Sequence, residues 1–506
     1  MKRVNFTVKT RRRGVFKLGL SKYMAIGTLF LSLGLSAASI SAQMETPPAP
    51  SAPKSGIIPA VQEKRLANGL TIAVVEKRSL PIITVQLLVK SGASLEDAGK
   101  AGLADLTASM LTKGSKTRSA TQIAEEIEFL GGSINSGAGW NNSVVGISVT
   151  SDKLDQAMAI MADVVLNPVF DQKELDLLKS QSLDGLTYNL KQPGFLANYV
   201  ASRYSFNEHP AGGTPASIGS ITQSDVAAFH SKNYRSDMAV LIFAGDITLE
   251  RAAAAAEKLF GGWTKREGEI VGARLEMGGG SGSPLETAVR RIMVIDLPNS
   301  GQASVNYVKK TNGVGRRAPE YYPASVLNSL LGGGYSSRLN QEIRIKRGLS
   351  YGAGSNFSWR TGNNNFGARA QTKNESAAEV AELVLAEVKR LTAGSIADVE
   401  LTPRKSVLTG NFGRNLETTG GLADAVADLY SYGIPTTELN SYSASVTGVK
   451  DLQIRDFASK NLPGGDLIIV GDYAKFKDDL TKRFPNMKIN VIKADELDLS
   501  KESLRK

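Results

Sequence analysis

The chain has 506 residues, 42% hydrophobic and 22% charged, with a net charge of +11 and no cysteine. That length exceeds one ordinary core and predicts two to four domains of soluble, globular composition. The missing cysteines exclude disulfides, thiolate metal sites, cysteine nucleophiles and a lipidated cysteine anchor. Eight of the lysines and arginines fall within residues 1–42, which hold no acid, so subtracting them from +11 leaves +3 for the rest. A surface that mildly basic argues against a dedicated polyanion binder.

Residues 2–22 are basic, 24–40 form an unbroken apolar or small run, and Ser41-Ala42 follow. This layout predicts a secretory signal peptide over 1–42, cleaved after Ala42. An uncleaved anchor is the rival reading, because the apolar run is only just short of a spanning length. The apolar block excludes a mitochondrial presequence, and the Pro-rich stretch 43–60 reads as a disordered spacer.

Folding signals begin near Val61. Asn68-Gly69 predicts a tight turn ahead of a strand over 70–75, and a second strand follows Pro81 at 82–89. Helical periodicity marks 102–112, 120–130 (stopped by Gly131-Gly132), 152–166 (ended by Asn167-Pro168) and 172–190. Strands are expected at 134–135, 143–149 and 239–244, with an alanine-rich helix at 249–260. The run 278–284, GGGSGSP, is a linker signal. Beyond it the same order recurs: helices at 322–331, 338–346 and 377–391, strands at 351–359, 367–373 and 467–470, and a final helix at 474–484. Trp140 matches Trp359, and Phe243-Ala244-Gly245-Asp246 matches Ile469-Val470-Gly471-Asp472, so a duplicated domain of a little over 200 residues is the economical explanation. Two halves joined in this way can face each other and enclose a cleft.

Several chemistries are excluded by spacing. Gly332-Gly333-Gly334 is followed by no Gly-Lys-Ser/Thr, and no Gly-x-Gly-x-x-Gly occupies a strand-to-helix turn, which argues against nucleotide binding. The only two histidines, His209 and His230, are 21 positions apart and cannot form a helix-borne zinc pair. No Gly-x-Ser-x-Gly elbow supports a serine triad. A triple glycine does allow close backbone approach and positive φ. Just beyond it, Arg344 and Tyr351 flank Gly348-Leu349, a cation and a phenol that are both donors to negative charge. The residues alone leave open that Arg344 forms a surface salt bridge and that Tyr351 packs at a strand start.

The chain resembles the M16 family (pitrilysin, insulinase, mitochondrial processing peptidase), in its half-length, two-domain form. The resemblance runs from about Val61 to Phe484. It rests on RLANGLTIAVV, GASLEDAGKAGLADLTASMLTKGS, ELDLLKSQSLDGL, EHPAGGTPASIGSITQSDVAAFHSKNYRSDMAVLIFAGD and LGGGYSSRLNQEIRIKRGLSYGAGS. It implies an α+β fold of two homologous domains, each a mostly antiparallel β-sheet packed with helices. These are a 61–270 N-terminal domain, a 271–288 linker, a 289–490 C-terminal domain and a 491–506 tail. Active members of the family carry His-x-x-Glu-His after a Gly-Leu-Ala or similar, with a distant glutamate completing the zinc site. In this chain the ligand positions hold Asp105 and Ser109 and the base position holds Ala108. The distant glutamate falls near Gly185, beside Asp184. No metal is therefore expected in this chain, although Asp105, Ser109 and Asp184 are oxygen donors of the kind that suits a weakly held hard cation.

Arg344 and Tyr351 match the family's pair that reaches an opposed zinc site, binds the peptide backbone and stabilises the oxyanion. Gly332, Gly333 and Gly334 border the same cleft. The expectation is a non-catalytic, substrate-binding subunit of a heterodimeric M16 zinc peptidase in the bacterial periplasm or cell envelope. Zinc would reside in a partner carrying His-x-x-Glu-His, and the substrate would be peptide or unfolded polypeptide, not nucleic acid. The alternative is a structural or assembly protein of the same fold with no role in proteolysis.

Overall fold

The computed structural model describes residues 58–97, 99–265 and 289–506. The expected signal segment, nearly all of the spacer and the 271–288 linker lie outside these residues. The chain builds two six-stranded sheets. The first contains β1 (Val61–Arg65), β2 (Thr71–Glu76), β3 (Ile82–Val89), β4 (Ser133–Ala138), β5 (Ser143–Thr150) and β6 (Ala239–Gly245), in the order β1-β2-β6-β3-β5-β4. The second contains β7 (Val289–Asp296), β8 (Ala303–Asn312), β9 (Ala353–Trp359), β10 (Asn363–Thr372), β11 (Gly465–Gly471) and β12 (Ile489–Lys493), in the order β12-β7-β11-β8-β10-β9.

Five strands correspond one to one, so the duplication read from the sequence is a duplication of topology. Each sheet is mixed but mostly antiparallel. The central strands β6 and β11 have neighbours on both sides and are buried at every residue, which is why they read as continuous apolar runs. Gly245 closes β6 at φ 136°, where a β-carbon would sit 2.1 Å from the Ile82 carbonyl oxygen. Trp140 follows β4 and Trp359 ends β9, so the two tryptophans occupy equivalent hairpin ends.

The edge strands differ. β1 pairs antiparallel to β2, whereas β12 pairs parallel to β7. The stretch set apart as a tail, 491–506, is therefore corrected: it supplies most of an edge strand and buries Ile492, Leu499 and Leu504. Covering β7 in this way protects an edge that would otherwise present unpaired backbone.

Each sheet has its own main core on one face. The opposite faces are exchanged between halves. The helix Pro193–Tyr204 of the first half lays Leu196, Ala197, Val200 and Ala201 on Met293, Ile295, Val308, Ile468 and Val470 of the second sheet. The helix Thr419–Tyr432 of the second half lays Leu422, Ala423, Val426 and Leu429 on Ala73, Val75, Leu88, Val240 and Ile242 of the first. At about 25 cal/mol per Å² of apolar surface, such reciprocal burial makes each half a structural part of the other. The halves are interlocked and not merely tethered, and the described residues form one compact unit. No helix among the described residues is long and apolar enough to cross a membrane.

Candidate functional site

The motif GLADLTASM folds as the helix Leu103–Met110. Gly102 starts it at φ 92°, where a β-carbon would come within 3.1 Å of the Gly213 Cα. The first turn is capped from outside the helix: the Gly102 and Ala104 N–H groups donate to the two Glu96 carboxylate oxygens at 3.1 and 2.7 Å. A carboxylate at a helix N-terminus satisfies donors that have no partner within the helix and complements its dipole. The Glu96 side chain is fully enclosed, and His209 Nε2 approaches it to 2.7 Å without hydrogen-bond geometry. Trp140 packs beside His209 at 5.1 Å between ring centres.

Asp105 and Ser109 stand one turn apart on this helix, the spacing that puts two ligands on one face. Ser109 is half-buried and Ala108, at the base position, is fully buried. Asp105 is open to solvent on one side, yet the protein around it raises its pKa above the ordinary carboxylate value, with the Ala138 backbone N–H opposing the rise. Tyr199 and Tyr234 lie close enough to feel its charge; burial first, and Asp105 after it, push both phenols up to about 12.

The helix Gln172–Asn189 packs against Leu103–Met110 and carries Asp184 and Gly185, both exposed. A β-carbon on Gly185 would meet nothing within 4 Å. Two carboxylates and a hydroxyl without an imidazole do not fit zinc, whose sites use imidazole or thiolate nitrogen and sulfur. Among the described residues no three His, Cys, Asp or Glu gather as a metal site. His230 hydrogen-bonds the Val165 carbonyl through Nε2 at 2.9 Å, and burial lowers its pKa. His209 lies against Glu96, so both histidines have structural partners.

The second half presents a different picture. The helix Tyr321–Leu331 ends at Gly332. A β-carbon there would come within 2.1 Å of the Ser355 nitrogen, and one on Gly333 within 2.7 Å of the Ser329 Cα, while Gly334 is open. None of the three has positive φ. Gly332 and Gly333 are thus required by close approach and not by unusual dihedrals, whereas neither demand falls on Gly334.

The helix expected over 338–346 is present, and over Asn340–Ile345 it takes the π form, a wide turn that recurs at functional sites. It carries Arg344 outward, with the guanidinium 4.9 Å from the Tyr335 ring centre and no ion pair among the described residues. Glu342, in the same segment, engages Lys346 and Arg347 instead. Tyr351 is 89% exposed. Tyr351 is therefore not packed at the strand start, and Arg344 makes a cation–π contact with Tyr335 and no salt bridge among the described residues.

A cleft of about 520 Å³ is bordered by Tyr351, Gly332 and Gly334 of the second half and by Gly194 and Asn198 of the first. The helix Pro193–Tyr204 thereby joins the two regions, since Tyr199 faces Asp105. No hydrogen bond or ion pair among the described residues links Arg344 or Tyr351 to Asp105, Ser109 or Asp184. Sequence reasoning missed Glu96 and His209, whose only signal is a Glu six residues ahead of the helix-starting Gly102.

Residues 71–190 match the family described as Insulinase (Peptidase family M16), and 220–408 match Peptidase M16 inactive domain. The chain belongs to the M16 family. An uncharacterized zinc protease of Rickettsia bellii is 28% identical over 353 residues, covering 69% of this chain and 82% of the relative. A Helicobacter pylori protein named as a non-peptidase homolog is 24% identical over 400 residues, covering 78% and 89%. Among solved structures, the peptidase M16 inactive domain from Pseudomonas fluorescens superposes with a TM-score of 0.72 at 26% identity, over 81% of this chain and 98% of that one. A Helicobacter pylori protease at 20% identity and TM-score 0.73 shares the fold. With Ala108 buried at the base position and no imidazole beside it, the first half lacks the donors of the family's zinc motif.

Proposed function

We propose that this chain is the substrate-binding subunit of a heterodimeric M16 zinc peptidase, exported to the bacterial periplasm or cell envelope, and that it lends Arg344 and Tyr351 to a zinc-bearing partner. The observation that carries this reading is an asymmetry. The donor set of the first half is degraded, while in the second half the Tyr351 phenol stands exposed at a cleft, and the Arg344 guanidinium is exposed on the π-helical turn that precedes it, with no ion pair among the described residues. A side chain that merely stabilised the fold would be buried or charge-compensated; Tyr351 is exposed, and Arg344 is exposed with no ion pair among the described residues.

The partner's zinc site supplies the metal-activated water. This chain supplies two donors, the Arg344 guanidinium and the Tyr351 hydroxyl, aimed at charge that develops on the scissile carbonyl oxygen. Extended peptide is a suitable substrate form because β4 and β9 are edge strands, each paired on one side only, and such edges accept an added strand.

The test is reconstitution with a paralogue carrying an intact His-x-x-Glu-His. The reading expects a stable one-to-one complex that hydrolyses unfolded peptide, with neither subunit active alone. Full activity of the paralogue without this chain, or a partner that is not a peptidase, overturns it in favour of a structural role.

A further inference from the structure

The cleft beside Tyr351 has a chemistry that the oxyanion role of Arg344 and Tyr351 does not use. Strand register puts Arg369 of β10 opposite Asn306 of β8, and Gln371 opposite Ser304. Directly opposed residues of an antiparallel pair share a face, and the alternate residues Ala368 and Ala370 turn into the second core. The face that holds Arg369 and Gln371 is the one covered by the first half's helix Pro193–Tyr204. Asn306 Nδ2 donates to Asn198 Oδ1 of that helix at 3.2 Å. A β-carbon on Gly194 would lie 2.5 Å from Gln371 Nε2, so the glycine leaves room for the amide in this position. Sheet and helix thus form opposite walls of one slot.

The slot is one-signed. Among the described residues its lining includes Asn198, Gln302, Ser304, Arg369 and Gln371 but no carboxylate. Arg369 is exposed to it and has no ion pair among the described residues, whereas Arg290 and Arg291 of β7 in the same sheet are both compensated by Asp466 at 2.8 and 2.6 Å. The positive end of the 12-residue helix opens at the same place. Its N-cap, Gln192, makes no side-chain cap, Pro193 has no N–H, and the Gly194 N–H has no hydrogen-bond partner among the described residues. The Arg369 guanidinium and the helix's first turn at Gly194 both line the slot, among amides and hydroxyls.

We infer that this slot is a subsite for a carboxylate of the bound peptide, held by Arg369 and the Gly194 N–H next to Tyr351. The inference rests on the substrate-binding reading above and adds a specificity to it. The carboxylate comes from an acidic side chain or from the peptide C-terminus. A guanidinium takes either one bidentately.

The test is calorimetric binding to the full chain of synthetic extended peptides that carry Asp, Asn or Lys at one central position, each with a free or an amidated C-terminus. Wild type is expected to bind the favoured carboxylate about tenfold more tightly than its neutral counterpart, the size of a charge-assisted hydrogen bond. R369Q abolishes that preference and R369E reverses it towards Lys. A preference set by the central residue assigns the slot to a side chain, and one lost on amidation assigns it to the terminus. Equal affinities across the set, a preference that survives in R369E, or no saturable binding overturns the inference. Because Arg369 is exposed and unpaired, unchanged thermal midpoints in both variants confirm that they fold. The readout needs neither partner nor hydrolysis, so failure of the heterodimer reading would leave this preference in place.

Discussion

The Arg344 guanidinium lies 4.9 Å from the centre of the Tyr335 ring and is compensated by no carboxylate among the described residues. A cation over an aromatic face is steadied without losing its charge. Tyr335 is itself 64% exposed, so it acts as a positioning residue for Arg344. Y335A should lower kcat of the reconstituted peptidase by about two- to fivefold with little change in thermal midpoint, as expected for an exposed cation–π contact. Y335F should retain activity. Equal losses in both variants would contradict a role through the ring.

Metal binding is the second point of test. Chelator and added zinc should both leave the thermal midpoint of the isolated chain unchanged, because Asp105 and Ser109 offer no imidazole. The triple variant D105H/S109H/G185E should gain a zinc-dependent rise in midpoint, since Gly185 has open space for a side chain and a metal held only by the folded state stabilises it by mass action. It should still hydrolyse nothing, for lack of a base at Ala108. Zinc stabilisation of the wild-type chain would refute this account of the site.

The loop ahead of the GLADL helix is tethered by Lys100, whose Nζ lies 2.7 Å from the Asp225 carboxylate. Chiefly through Lys100, the Asp225 pKa falls to about 2. A carboxylate with a depressed folded-state pKa contributes stability that is present above its unfolded value near 3.9 and lost as pH falls through the folded one. D225N should therefore be less stable than wild type at pH 7, and the difference should close between about pH 4 and pH 2. Urea midpoints of the two proteins across that range check the sign; a gap that persists at pH 2 contradicts it.

Interlocking makes a mechanical prediction. L196A and V426A each delete buried apolar groups from one helix laid on the other half's sheet, and each should cost about 1–4 kcal/mol. Trp140 and Trp263 report on the first half and Trp359 on the second, and unfolding should show a single transition by all probes. Two separated transitions would mean that the halves fold independently.

The sequence revealed the strands and helices whose apolar period is strong, such as Ile82–Val89 and Leu249–Phe260, and the repeat that relates β6 to β11. It did not reveal the helices that lock the halves together. Pro193–Tyr204 opens with Pro-Gly, and Thr419–Tyr432 opens on a threonine and two glycines; both bury small residues whose meaning depends on a sheet far away in the chain. Arg344 and Tyr351 were legible through the motif around them. Their exposure and the π-helical turn were not, because local propensity cannot distinguish an α-helix from a wider turn that carries one side chain out. Glu96 as a cap and Arg369 as an unpaired cation become visible only once distant segments are brought together.

The central claim is that Arg344 and Tyr351 act in trans on the partner's chemistry. The most direct measurement is kcat for peptide hydrolysis by the reconstituted complex carrying R344A and Y351F in this chain, with complex formation checked independently. Loss of preorganised oxyanion donors should lower kcat by about a hundredfold or more while the complex stays intact. An intact complex with unchanged kcat would contradict the account.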